Sequence, residues 1–257
     1  MRGFGRIVLI AAMLIPLAGM AGATDIRVLS VGAVQNALRT LAAQLSKETG
    51  QQVVLTIGSP AVVMAKIKSG EVFDALIASE AAMDELDRDG IVNPESRVRL
   101  ASTGLGVAVR AGAPALDLST PEAFKQALLA APSIAYGDPT LRYQSGEKTE
   151  KVLAKAGILE TLKPKLRIVA GQAASQEMIA KGEVEMGLYN VSEIPEGKGL
   201  QFAGPVPAPF QINTAYEGAL MSDGSEPQAA RAFILFLASP EARAQWLAAK
   251  LEPAADH

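Results

Sequence analysis

The sequence predicts an α/β protein: a mostly parallel sheet with helices on both faces. Three observations predict it. Short β-rich runs alternate with helical periodicity along most of the chain. Glycine follows five of the helical stretches, at Gly50, Gly70, Gly90, Gly157 and Gly182. Two similar strand–helix–strand sets occur, one in each half. Alternation of this kind builds parallel neighbours, which need a crossover that is normally helical and right-handed.

The elements follow in order. Ile26 to Ser30 reads as the first strand. Leu38, Leu41, Ala42 and Leu45 then repeat at the spacing of one helical face, and Gly50 ends that helix. Val53 to Ile57 is a second strand. Ser59-Pro60 opens a helix, with serine as N-cap and proline at the first helical position. Phe73 to Ala78 is a third strand, and Glu80 to Arg88 a third helix. Val98 to Val109 is long, β-rich and broken by Gly104 and Gly106, as a segment crossing between two lobes would be.

The second block repeats the pattern. Pro121 to Leu129 is a helix, Ser133 to Tyr136 a strand, and Gly137-Asp138-Pro139 a turn. A helix over Glu147 to Ala156, a strand over Leu166 to Val169, a helix from about Ala174 to Ala180 and a strand over Val184 to Tyr189 complete it. Gly199 to Ala219, rich in proline, reads as a return connection plus an edge strand. Gln228 to Leu237 and a helix capped by Ser239-Pro240 close the chain, and Glu252 to His257 reads as a frayed tail.

The first 23 residues stand outside this pattern. Arg2 and Arg6 precede the apolar run Ile7 to Leu17, and Ala21-Gly22-Ala23 is a small-residue cleavage site, so the segment reads as a secretory signal. Its apolar run is short of the roughly 20 residues that a membrane-spanning helix needs. The expectation is a soluble protein outside the cytoplasm, cleaved near Ala23; the resemblance given below makes that compartment the periplasm. Losing Arg2 and Arg6 takes the formal charge from −3 to −5. An acidic chain without a Lys/Arg cluster is a poor nucleic-acid partner. There is no cysteine, and the one histidine is His257, so His-based catalysis, His/Cys metal sites and a bound cofactor are not expected.

Chemistry in such a fold is expected beyond the carboxyl ends of the strands, where helix N-termini present unpaired N–H groups and a positive dipole end. Those ends bind anions without any lysine. Four strand-to-helix junctions qualify, all built from small residues or glycine. They are Ser30 to Val34, Gly58 to Ala61, Tyr136 to Pro139 leading to Gln144-Ser145-Gly146, and Ala170 to Ala173.

The order of motifs resembles the periplasmic molybdate-binding proteins. Carrying the resemblance are V-L-S-V-G-A-V-Q-N-A-L at Val28 to Leu38 and G-S-P-A-V-V-M-A-K-I-K-S-G at Gly58 to Gly70. Further on come F-D-A-L-I-A-S at Phe73 to Ser79, A-Y-G-D-P at Ala135 to Pro139, G-E-V-E-M-G-L-Y at Gly182 to Tyr189 and F-L-A-S-P-E-A at Phe236 to Ala242. The resemblance implies the type II periplasmic-binding fold: two α/β lobes joined by two crossing strands, with the ligand in the cleft. It implies a first lobe of 24–102 plus 206–257 and a second of 103–205. It also implies a monomer that captures a small anion and delivers it to an ABC permease in the inner membrane.

Family members hold their oxyanion with serine hydroxyls, backbone amides and a tyrosine. Carried over, the first-loop serine falls on Ala33, and the second on Ser59 or its neighbour Pro60. The next two donors fall on Ser145 and Gln172, and the tyrosine falls on Asn190 with Tyr189 beside it. Ala33 and Pro60 supply no hydroxyl. Arg142, able to grip a carboxylate bidentately, joins the candidates and points to an organic anion as an alternative to molybdate. Aconitate isomerase, a secreted enzyme, resembles the same family. That makes isomerisation of a tricarboxylate the enzymatic alternative, with Asp138, Glu147 and Lys148 as the available proton-transfer groups.

Overall fold

The computed structural model describes residues 25–141 and 144–255. The expected export signal, Arg142, Tyr143 and His257 lie outside the described residues. No helix among the described residues is long and apolar enough to cross a membrane.

The first lobe starts with β1 (Ile26–Val31), whose Ile26, Val28 and Leu29 are wholly buried. A short 3-10 turn at Gly32–Val34 leads into α1 (Gln35–Thr49), which ends at Gly50 in the left-handed conformation that glycine favours. β2 (Val53–Gly58) and α2 (Pro60–Lys68) follow, and the Ser59 side chain accepts from the Val62 N–H as the sequence expects. β3 (Ala75–Ser79), α3 (Glu80–Arg88) and β4 (Val98–Thr103) complete this pass.

The chain then crosses into the second lobe. β5 (Leu105–Arg110), α4 (Pro121–Ala130), β6 (Ile134–Gly137), α5 (Gln144–Lys155), the short α6 (Leu159–Leu162), β7 (Leu166–Val169), α7 (Gln172–Lys181), β8 (Met186–Asn190) and β9 (Leu200–Pro205) follow in order. The return brings β10 (Thr214–Leu220), α8 (Pro227–Leu237), α9 (Arg243–Ala248) and the two-residue β11 (Glu252–Pro253) back to the first sheet.

The strand orders are β11-β4-β10-β3-β1-β2 and β7-β6-β8-β5-β9. Each sheet is mixed rather than mostly parallel. The βαβ units make the parallel pairs, β1 with β2 and β3, and β6 with β7 and β8. Strands flanking the crossings add antiparallel pairs, β10 with β3 and β4, and β5 with β8 and β9. A strand arriving from the other lobe needs no crossover helix and is free to run the opposite way.

Two local expectations change. β9 is an edge strand, but β10 lies inside its sheet, with Ala215 to Leu220 buried. The described part of the tail does not fray: Glu252 and Pro253 pair with Ser102 and Ala101, and the Ala254 N–H donates to the Leu100 carbonyl. Buried Leu251 anchors it, an apolar contact that outweighs the usual looseness of a terminus.

Each sheet has its own apolar core. The first gathers β1, β3, α1 and α8 around Leu38, Phe73, Phe233 and Trp246; the second centres on Val107, Phe124, Leu153 and Leu188. Buried Asp74 ties the first core together. Its Oδ2 accepts from the Arg27 N–H at 2.7 Å, and its Oδ1 from the Ser225 and Glu226 N–H groups at 2.8 and 2.9 Å, at the start of α8.

The two crossings are clipped by Gln211. Its Oε1 accepts from the Leu105 N–H at 2.8 Å, while its Nε2 donates to the carbonyls of Leu105 and Val206 at 2.9 and 3.0 Å. A side chain at Gly104 would put its Cβ 2.6 Å from Gln211 Cδ, so any other residue at the break between β4 and β5 would push the Gln211 side chain aside.

Candidate functional site

A cavity of about 330 Å³ opens where residues from all four junctions meet. Gly32 and Ala33 line it after β1, Gly58, Ser59 and Pro60 after β2, Ser145 in the first turn of α5, and Gln172 and Ala173 at the start of α7. Asn190, Glu193 and Tyr216 complete the floor. No side chain caps the start of α7 at Gly171, of α1 at Val34, or of the 3-10 turn at Val31. The residues before these starts therefore offer their first N–H groups no side-chain acceptor, an arrangement that suits an anion at a helix start.

Six of the eight residues expected from the sequence line this cavity: Ala33, Ser59, Pro60, Ser145, Gln172 and Asn190. Arg142 lies outside the described residues. Tyr189 is not among the lining residues. Strand alternation turns it to the other face of β8, where it is buried under α7 and its hydroxyl donates to Ser175 Oγ at 2.8 Å. Of the proton-transfer candidates, Asp138 accepts from Thr140 within its own turn, and Glu147 lines a separate small cavity with Pro60, Ser79 and Glu85. Only Lys148 reaches the floor.

That floor is a chain of hydrogen bonds. Buried Lys148 donates from Nζ to Asn190 Oδ1 at 2.6 Å, and Asn190 Nδ2 donates to Glu193 Oε2 at 2.6 Å. Gln172 also hydrogen-bonds the Glu193 carboxylate, and its Oε1 lies 3.3 Å from Ser145 Oγ. Gln176 Nε2 donates to the Glu193 carbonyl at 2.8 Å. Burial pushes the Lys148 amine down to about 8, and the nearby Glu193 charge only partly opposes this. Burial also raises Glu193, against the hydrogen bond from Asn190, the charge of Lys148 and the hydrogen bond from Gln172. Tyr216 is 1% exposed, and its hydroxyl has no hydrogen-bond partner. Burial, then the Glu193 charge, holds its phenol well above the ordinary value.

Glu193 and Tyr216 are the residues that sequence reasoning misses. Glu193 follows Asn190 by three, a spacing at which an amide and a carboxylate can meet around one turn. Tyr216 carries no comparable signal, because its strand reads from sequence as an edge. Among the described residues, no group of three His, Cys, Asp or Glu is placed to hold a metal ion. None of the described lining residues is a lysine or arginine. The arrangement suits a small anion held by backbone and neutral side-chain donors.

This combination of two α/β lobes and an N–H-lined cleft defines a class of binding protein, and the comparisons agree. The family model for bacterial extracellular solute-binding proteins matches residues 26–249. The chain belongs to that family. It is 30% identical to the aconitate isomerase of Pseudomonas sp over 233 residues, covering 88% of this chain and 87% of that protein. It is 25% identical to the molybdate-binding protein ModA of Escherichia coli strain K12, covering 90% and 91%. The solved periplasmic molybdate-binding protein of Azotobacter vinelandii superposes with a TM-score of 0.73 at 23% identity, over 91% of this chain and all of that one. The fold is the type II periplasmic-binding fold that the sequence resembles.

Proposed function

We propose that this chain is the periplasmic receptor of an ABC importer, closing on a small anion and presenting it to an inner-membrane permease. In this reading residues 24–102 plus 206–257 and residues 103–205 act as two bodies, the protein works as a monomer, and nucleic acid is no partner. The observation that carries it is the meeting of four helix-start junctions around one cavity. Molybdate and small carboxylates both fit the charge. The donor set favours a carboxylate: Ala33 and Pro60 offer no hydroxyl. The volume agrees, since about 330 Å³ has room for on the order of ten waters at ~30 Å³ each.

Thermal unfolding with molybdate, tungstate, sulfate and a panel of small carboxylates tests the reading, because a ligand that binds only the folded state raises the melting temperature. A carboxylate is expected to raise it most. If no anion in the panel shifts the transition, the receptor reading fails.

A second reading is favoured by one observation: an acid in the cavity lining and an amine behind Asn190 have proton affinities that both move toward neutrality. The 30% identical relative is an aconitate isomerase. Isomerising such an acid needs one proton taken from the methylene carbon, the electron pair shifted through the three-carbon system, and a proton returned at the other end. Glu193 is the group placed to take that proton. Incubation of purified protein with trans-aconitate, followed by chromatography, separates the readings. The cis isomer appears if it is an isomerase, and bound but unchanged acid is recovered if it is a receptor.

A further inference from the structure

An acid in an anion pocket calls for an explanation. Like charges a few ångströms apart resist simultaneous ionisation. The obvious remedy, a cation in the wall, is missing from the described lining. Lys148 lies behind Asn190 and spends a short bond on its amide oxygen. Asn190 in turn spends a donor on Glu193 itself. One donor is left over. Tyr216 lines the same cavity, and its buried hydroxyl bonds to nothing. A buried hydroxyl without a partner is costly unless something else supplies an acceptor. The floor therefore presents an unused donor, Tyr216, beside an acceptor, Glu193.

We propose that Glu193 is the specificity-determining residue of this pocket: an anion binds only with one proton shared between itself and the Glu193 carboxylate, while the Tyr216 hydroxyl donates to an oxygen of the ligand. The inference rests on the anion-receptor reading and narrows it. The shared proton has two sources. A hydroxy acid brings its own O–H, which donates to ionised Glu193. An anion without a hydroxyl binds to protonated Glu193 and takes that proton from solvent.

The groups around Glu193 permit this. From α5 comes the Lys148 ammonium, from β10 the Tyr216 phenol, from α7 the neutral amides of Gln172 and Gln176, and from the turn after β1 Gly32, where a Cβ would lie 3.8 Å from Glu193 Oε1. A second cavity that Glu193 also lines adds Lys198, and Lys250 paired with Glu196 at 2.8 Å. Burial already strengthens the hold of Glu193 on a proton, and an anion beside it strengthens that hold further.

Calorimetric titration of malate, succinate and sulfate into the full protein tests the proposal, between about pH 6.5 and about pH 7.5, below the Lys148 value of about 8. Succinate and sulfate are expected to lose affinity as the pH rises over that interval, and to take up protons judged from buffers of different ionisation heat. Malate is expected to change less than about two-fold with no uptake. Glu193→Gln, which keeps an oxygen for Asn190, is expected to flatten the pH profile and narrow the preference for malate over succinate. The proposal is overturned if succinate binds the unaltered protein without proton uptake, or if Glu193→Gln keeps the original pH profile, which would assign it to Lys148. If none of the three anions binds, this inference fails, and the wider anion panel decides the receptor reading. The uptake measurement needs no variant, so a poorly folding Glu193→Gln leaves it standing.

Discussion

Lys148 on α5 and Asn190 at the end of β8 meet through a 2.6 Å hydrogen bond in which the buried amine donates to the amide oxygen. That bond fixes the direction of the Asn190 amide, which must then offer its N–H to Glu193. One contact between two elements of the second lobe thus orients the floor of the cleft.

The amine is held there at a cost to stability that depends on pH. Its folded value is depressed to about 8 from 10.5. Between those values the unfolded chain holds more protons than the folded one, so the Lys148 contribution to stability rises with pH through that window. It should amount to on the order of 3 kcal/mol, at about 1.4 kcal/mol per pH unit. Denaturant unfolding of the natural protein and of Lys148→Met at about pH 7.5 and about pH 10.5 measures it. The gap between them should move in favour of the natural protein, and parallel profiles would refute the assignment.

Tyr216→Phe should act in opposite directions on fold and site. Removing an unpaired buried hydroxyl leaves the unliganded protein equally stable or about 1 kcal/mol more stable. Losing a bond to a charged ligand should weaken binding about ten-fold or more, equivalent to roughly 1.5 kcal/mol. Thermal unfolding and titration on the same sample read both effects.

Ser59 has two jobs to separate. Its hydroxyl accepts from the Val62 N–H at a long 3.4 Å, so as a cap alone it contributes at most about 1 kcal/mol. Ser59→Ala should therefore lower the melting temperature only slightly. A fall in ligand affinity beyond that expected from the stability change identifies the hydroxyl as a ligand contact, and an unchanged affinity leaves it as a helix cap only.

Asp74→Ala should be severe and remote. It strands the N–H groups of Arg27, Ser225 and Glu226 inside the first lobe. The expected loss is about 3 kcal/mol or more in urea unfolding, with unchanged affinity of the fraction that remains folded.

The fold was legible because its signals are local. Ser59 before Pro60, and glycine after α1 and α7, mark helix ends through backbone chemistry that acts within a few residues. The cavity was legible for a related reason: helix starts after parallel strands point the same way, so four small-residue junctions converge. What escaped depends on contacts distant in sequence. Whether Thr214–Leu220 sits at an edge or inside a sheet is decided by β4 and β3 on either side of it, and so is the placing of Tyr216. Tyr189 and Asn190 are neighbours in sequence, yet the strand turns one into the core and the other into the cleft. Glu193 looks like a surface acid until Lys148, forty-five positions earlier in the chain, is brought behind it.

The Gln211 amide touches both passages between the lobes, Leu105 on the outward one and Val206 on the return. Joined by a single planar group, the two passages are coupled: a twist of one strains the hydrogen bonds that hold the other. In the receptor reading, that coupling would tie the movement of one half to the movement of the other.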